Sequence, residues 1–222
     1  MSLVSTKWLF NNRENVKIID CSWHLPNEKR NSLEEYNSEH IPNAIYFDID
    51  KNSDQNSDLP HMLPSKKQWE EIVSSLGISN DDKIIIYDNS DLISSCRLWY
   101  SFLYFGHNKE LVYILNGGLE KWNKEKLVTT NIKTDLVKTK YSANENKEMV
   151  KNLDEINDNI DEKKFKLVDA RSIDRFEGRI SEPREGLRSG SIKNSICLPF
   201  NEVINKDKTF KSLEQLKVIF DG

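Results

Sequence analysis

The sequence predicts an α/β fold, a mostly parallel sheet flanked by helices, present as one complete copy and a second, truncated one. Three observations predict it. Short apolar runs of strand length alternate with helix-like segments, the order that builds parallel sheets covered on both faces. The chain matches itself at a long offset, the mark of an internal duplication. Its 222 residues are long for one ordinary domain and short for two, so the expected division is a full domain over residues 1–140 and a partial one over 141–222.

In order along the chain, Val16-Lys17-Ile18-Ile19-Asp20-Cys21 is an apolar run ending in Asp, the pattern of a buried strand. It matches Phe165-Lys166-Leu167-Val168-Asp169-Ala170. His40-Ile41-Pro42-Asn43-Ala44-Ile45-Tyr46-Phe47 comes next and matches Ser191-Ile192-Lys193-Asn194-Ser195-Ile196-Cys197-Leu198. Ser65 and Ser212 each precede a helical pattern as N-caps. Lys83-Ile84-Ile85-Ile86-Tyr87 reads as a buried strand. A polar loop from Asp88 to Ser95 leads into an aromatic-rich helix, Cys96 to Phe105. Leu111 to Leu115 is a further strand, closed by a turn at Asn116-Gly117-Gly118. Ligands of parallel sheets lie at the carboxyl ends of the strands, which selects the segment from Asp88 to Arg97 in the first copy. Asn123 to Asn152, rich in Lys, Asn, Thr and Glu, is expected to connect the copies along the surface. The second copy runs to Gly222, which aligns near Gly77. The counterparts of strand Lys83–Tyr87 and its loop are therefore not expected within these residues. A half domain with an open sheet edge predicts self-association or aggregation.

Composition narrows the function. The net charge of −4 leaves no basic footprint for nucleic acid. No apolar run approaches the roughly 20 residues that cross a bilayer, and Met1 to Asn12 lacks the pattern of a secretion signal. Cys21, Cys96 and Cys197 are far apart and odd in number, which argues against a disulfide framework or a structural zinc site. A reducing, cytoplasmic setting is expected, with no metal and no cofactor.

Five of the eight arginines fall between Arg171 and Arg188: Arg171, Arg175, Arg179, Arg184 and Arg188. No lysine lies among them, although lysine outnumbers arginine threefold in the whole chain. Guanidinium grips a carboxylate at two points and ammonium does not. The cluster fits a pocket for a small anion. It also fits a salt-bridged loop, because Asp174, Glu177, Glu182 and Glu185 are interleaved.

These residues resemble a known family. Asp169-Ala170-Arg171-Ser172, Arg175-Phe176-Glu177-Gly178 and Glu182 through Gly190 are similar to the second domain of tandem rhodanese sulfurtransferases, most of all the 3-mercaptopyruvate sulfurtransferases. His40 to Ala44, Phe47 to Asp50, His61-Met62-Leu63-Pro64, Ile86 to Asn89, Phe105-Gly106-His107 and Leu115 to Leu119 resemble the first. The resemblance implies sulfur transfer from 3-mercaptopyruvate or thiosulfate, held as a cysteine persulfide and passed to a thiol or cyanide acceptor. A thioredoxin-like protein or a small thiol is the implied partner. The family's cysteine lies in a Cys-Gly-Ser-Gly-like loop, expected roughly ten to twenty residues past Gly222, so these residues by themselves are expected to be inactive. In the first copy Asp88 stands at the matching position, which makes that copy catalytically silent.

By the same resemblance Arg175 and Arg184 bind the donor's carboxylate and carbonyl, and Arg188, in a variable part of the motif, is a third candidate or a stabiliser of its loop. Asp50 and His61 form a supporting pair that leans on a serine of the cysteine loop. Arg171 and Arg179 are read as structural or solvent-facing, His40 and His107 as turn or core residues, and His24 as a loop-edge residue. Cys96 opens a helix beside Arg97, where a thiol pKa falls, yet packing is the preferred role. Ser191 and Lys193 depart from the family's His and Pro and are expected to weaken a local turn. The alternatives are a non-catalytic anion-sensing or docking module and a rhodanese-related phosphatase. The phosphatase needs a Cys-x5-Arg loop, and the sequence has none.

Overall fold

The computed structural model describes residues 2–183 and 186–221. The chain divides into two compact units, Met1–Lys147 and Glu148–Gly222.

In the first unit the elements are β1 (Leu3–Val4), α1 (Thr6–Asn12), β2 (Lys17–Asp20), α2 (Ser32–Ser38), β3 (Ala44–Tyr46), α3 (Lys66–Ser75), β4 (Ile84–Tyr87), α4 (Ser95–Tyr104), β5 (Val112–Leu115) and α5 (Gly118–Lys124). The strands form a five-stranded sheet in the order β1-β5-β4-β2-β3. Every pairing is parallel. The β-branched run of β4 explains its central place: Ile84, Ile85, Ile86 and Tyr87 are all fully buried, as a strand covered on both faces requires. Alternate residues serve opposite faces. Ile84 and Ile86 pack with Ile19, Trp69, Phe102 and Phe105. Ile85 and Tyr87 pack with Ile18, Leu9, Leu119 and Trp122.

Helix α3 starts where its cap dictates. Ser65 Oγ accepts the Gln68 N–H, and Gln68 Oε1 accepts the Ser65 N–H at 2.9 Å, a reciprocal capping box. The segment after α5, expected to run along the surface, also contributes buried residues to the first unit. Residues 126–146 lie against the first unit and complete its core, with Tyr141 and Ala143 buried. His40 exchanges backbone hydrogen bonds with Thr130, and its ring nitrogens contact the carbonyls of Tyr36 and Ile132. The His107 ring stacks on Tyr141. Two glycines permit this close approach. A Cβ on Gly77 would meet the Val137 carbonyl at 2.8 Å, and one on Gly106 would meet the Asn144 carbonyl at 2.6 Å. His24 is also corrected: it is buried rather than at a loop edge, 3.2 Å from Glu35 Oε2.

The second unit contains α6 (Leu153–Glu162), β6 (Val168–Asp169), α7 (Ile173–Phe176), β7 (Ile196–Cys197) and α8 (Leu213–Asp221). Asn152 caps α6 with its own capping box to Glu155. Strand β6 is shorter than the apolar run Phe165–Asp169, because among the described residues it pairs only with β7, whereas β2 has neighbours on both sides. The local arrangement repeats that of the first unit. Asp20 pairs with Tyr46 and Asp169 with Cys197. Asn43 and Asn194 both take left-handed conformations, φ 68° and 67°. In each turn an N–H reaches back three residues, Ala44 to Ile41 and Ser195 to Ile192. The turn therefore forms despite Ser191 and Lys193; asparagine at its left-handed position tolerates that conformation.

Candidate functional site

Past β3, Phe47 and Ile49 turn inward while Asp48 and Asp50 stay accessible. Asp50 Oδ1 lies 2.7 Å from His61 Nε2. Its Oδ2 accepts the Trp23 indole N–H at 2.9 Å, and the Trp23 ring meets the His61 ring edge-on at 4.8 Å. An ionised carboxylate only accepts, so the pairing places an N–H on Nε2, and in the neutral imidazole Nδ1 then presents a lone pair. The loop between them is tied by Gln55 Nε2 donating to the Asp50 carbonyl and by the Asp54 N–H donating to the Met62 carbonyl. His61 has φ 57°, and its carbonyl accepts from Arg97 Nη2. Trp23 and Arg97 were not singled out by sequence reasoning. Trp23 follows the carboxyl end of β2, the one signal that would have found it.

At the carboxyl end of β4, Asp88 closes its own loop. Its Oδ1 accepts the Ser90 N–H at 2.9 Å and its Oδ2 accepts the Ser95 N–H at the start of α4 at 2.8 Å. These backbone donors form an anion cradle, and a carboxylate that cannot carry sulfur occupies it. Beside it Asp20 is pushed up to about 6 by burial, opposed by hydrogen bonds from Ser22. A cleft of about 190 Å³ here is lined by Asp20, Glu35, Glu39 and Asn89 among others, acidic groups that disfavour an anionic ligand. Cys96 does not have the lowered pKa suggested by its neighbour Arg97: burial, then Asp88, push its thiol up to about 12. Cys21, fully buried in β2's wake, is raised by burial well above the ordinary thiol value. Cys197 is raised as well, by loss of solvation and then by Asp169. None of the three is an activated thiolate.

In the second unit the arginines meet the interleaved acids. Glu182, its side chain only 4% exposed, accepts from Arg175 Nη2 at 2.5 Å and from Arg171 Nη1 at 2.7 Å. Hydrogen bonding to Arg175, followed by the charges of both arginines, holds its carboxyl below the usual range, against some desolvation. Arg171 also grips Asp169 and donates to the Gly190 carbonyl at 2.9 Å. Arg179 pairs with Asp174 and Glu177 at the surface. Arg188 is exposed and makes no ion pair among the described residues. Arg184 lies outside the described residues. The candidate residues thus fall into two groups, Asp50 with His61 in the first unit and Arg175 with Arg188 in the second.

The first unit's parallel sheet agrees with what the chain is similar to. A family model described as a rhodanese-like domain matches residues 5–125. A thiosulfate/3-mercaptopyruvate sulfurtransferase of Arabidopsis thaliana, named as mitochondrial, is 37% identical over 99% of this chain and 63% of its own length. The 3-mercaptopyruvate sulfurtransferase of Mus musculus is 35% identical over 99% of this chain and 76% of its own. Among solved structures, SseA of Escherichia coli, described as a 3-mercaptopyruvate sulfotransferase with the rhodanese fold, has a TM-score of 0.86 at 31% identity. It is matched over 100% of this chain and 83% of its own. The chain thus spans 63% to 83% of the length of these three relatives. No helix among the described residues is long and apolar enough to cross a membrane. The chain belongs to the rhodanese-like family, and the relatives it matches include 3-mercaptopyruvate and thiosulfate sulfurtransferases.

Proposed function

We propose that this chain provides the donor-binding and proton-handling parts of a sulfurtransferase that moves sulfur from 3-mercaptopyruvate, or thiosulfate, to a thiol or cyanide. The observation that carries the proposal is the similarity to sulfurtransferases over nearly the whole chain. Two geometric facts support it. The Asp50–His61 pair has the spacing and proton placement of a supporting acid–base pair, with the Nδ1 lone pair available to a hydroxyl. Arg175 retains a terminal nitrogen, Nη1, that makes no hydrogen bond among the described residues, and Arg188 is exposed. Arg175, Arg184 and Arg188 are the proposed binders of the donor's carboxylate and carbonyl.

In the proposed reaction a cysteine thiolate attacks the donor sulfur. The carbon–sulfur bond of mercaptopyruvate breaks, its electrons pass to carbon, and a proton completes pyruvate. The acceptor thiolate or cyanide then attacks the outer sulfur of the persulfide and releases the thiolate. Cys21, Cys96 and Cys197 all have raised thiol pKa values, so the nucleophile is proposed to lie in a Cys-Gly-Ser-Gly-like loop outside these 222 residues. Pyruvate and sulfide are assayed with 3-mercaptopyruvate and a thiol, on these residues and on a longer form carrying such a loop. Turnover by the longer form alone is expected. Turnover by both would refute the placement of the nucleophile, and turnover by neither would refute the enzyme.

A second reading, a non-catalytic anion-sensing module, is favoured by the occupation of Arg171 and Arg175 by Glu182. Anion binding without turnover in the longer form would select it. On location we propose a cytoplasmic setting, on the ground that all three cysteines are free thiols. Fractionation that finds the protein in mitochondria would overturn this.

A further inference from the structure

Asp50 and His61 lie between β3 and α3, a stretch of chain with no strand or helix of its own. Their side chains are 65% and 23% exposed. An ion pair that accessible does not hold its own geometry, because screening and side-chain freedom offset most of its attraction. The pair therefore needs an external hold, and two residues supply one, Trp23 from the loop after β2 and Arg97 from α4. Trp23, just past β2, donates its indole N–H to Asp50 Oδ2, the oxygen that His61 does not use. Its ring also stands edge-on to the imidazole, at an interplanar angle of 87°. Arg97, in the first turn of α4, donates from Nη2 to the His61 carbonyl. That bond falls on a residue in the left-handed region, which a non-glycine residue keeps only when its surroundings impose it.

We propose that Trp23 and Arg97 are positioning residues that lock the Asp50–His61 pair with its proton on Nε2. The indole fixes the carboxylate, and the guanidinium fixes the main chain that carries the imidazole. Together they leave the Nδ1 lone pair aimed by the protein rather than by chance rotation. The proposal rests on the reading of Asp50 and His61 as the supporting pair of sulfur transfer.

The test reads the imidazole directly. The chain has four histidines, few enough to assign by 15N NMR with labelled histidine. In mildly alkaline solution the intact protein is expected to show one tautomer at His61, protonated on Nε2. Trp23→Phe, which keeps an aromatic ring and removes the N–H, is expected to give a mixture of both tautomers. Arg97→Met is expected to do the same, and Arg97→Lys to restore the single tautomer, since ammonium can still donate to the His61 carbonyl. A purely structural role would change the unfolding midpoint without changing the tautomer and without rescue by lysine. A single Nε2-protonated form in both Trp23→Phe and Arg97→Met would overturn the proposal; should Arg97→Met not fold, Trp23→Phe decides alone. In the longer form Trp23→Phe is expected to lower kcat about tenfold, the size of one hydrogen bond to a charged group, with KM unchanged. Absence of turnover in that unsubstituted form would refute sulfur transfer and leave the tautomer result standing.

Discussion

At the scale of single residues, Arg175 carries the sharpest expectation. Its Nε and Nη2 already hold Glu182, so a donor anion has to share or displace that carboxylate. Glu182→Gln is expected to tighten 3-mercaptopyruvate binding by removing the competing charge. Arg175→Lys is expected to weaken it about tenfold, because ammonium cannot grip in two places. Calorimetric titration of the two variants checks both, and equal affinities would contradict them. Identities at this scale were only partly legible in the sequence. The bias towards arginine marked the cluster, yet the pairing of Glu182 rather than Glu177 or Asp174 with Arg175 depends on how the turn after α7 folds back, which no spacing rule encodes. Trp23 escaped notice for a similar reason: its partner Asp50 lies on a different loop.

At the scale of elements, buried strands were the easiest to read. The apolar runs around Ile18, Ile85 and Ile114 became β2, β4 and β5, because isoleucine-rich segments bounded by turns have few other uses in a soluble chain. Helix α4 was displaced by one residue because Asp88 caps it from a distance: Ser95, not Cys96, donates to that carboxylate. Strand β1 and helices α1, α2 and α5 were not foreseen, since strands of two residues and helices of seven give too short a periodic signal. The Asp88 loop leads to a prediction at this level. Asp88→Ala removes the carboxylate that accepts from two buried backbone N–H groups, of Ser90 and Ser95, and is expected to destabilise the first unit by about 1–2 kcal/mol. Urea unfolding followed by Trp fluorescence measures it, and an unchanged midpoint would show that the loop is held by other means.

For the whole molecule, the first unit, Met1–Lys147, reaches past the stretch that the family model matches. The family model covers residues 5–125, but Tyr141 and Ala143 sit in the core. A fragment of residues 1–147 is expected to unfold cooperatively. A fragment of residues 1–125 is expected to lose about 3 kcal/mol or more, the scale of deleting a buried aromatic side chain. Equal denaturation midpoints for the two fragments would contradict this. The sheet also carries a pH signature. Asp20, ordinarily near 3.8, is raised to about 6 when folded. A raised value means that its contribution is fully present below about 3.8 and is lost as pH rises through about 6, by up to about 3 kcal/mol. Asp20→Asn is expected to remove this slope, so its stability relative to the parent should rise between those two pH values; a constant difference would refute the assignment. The order of the strands has one more consequence, in time. Leu3 and Val4 pair with Ile114 and Leu115, so once β1 is made it has no neighbour in the sheet until more than a hundred further residues are made. At cellular synthesis rates that is a wait on the order of ten seconds, during which the earliest-made edge of the sheet depends on whatever else shields nascent chains.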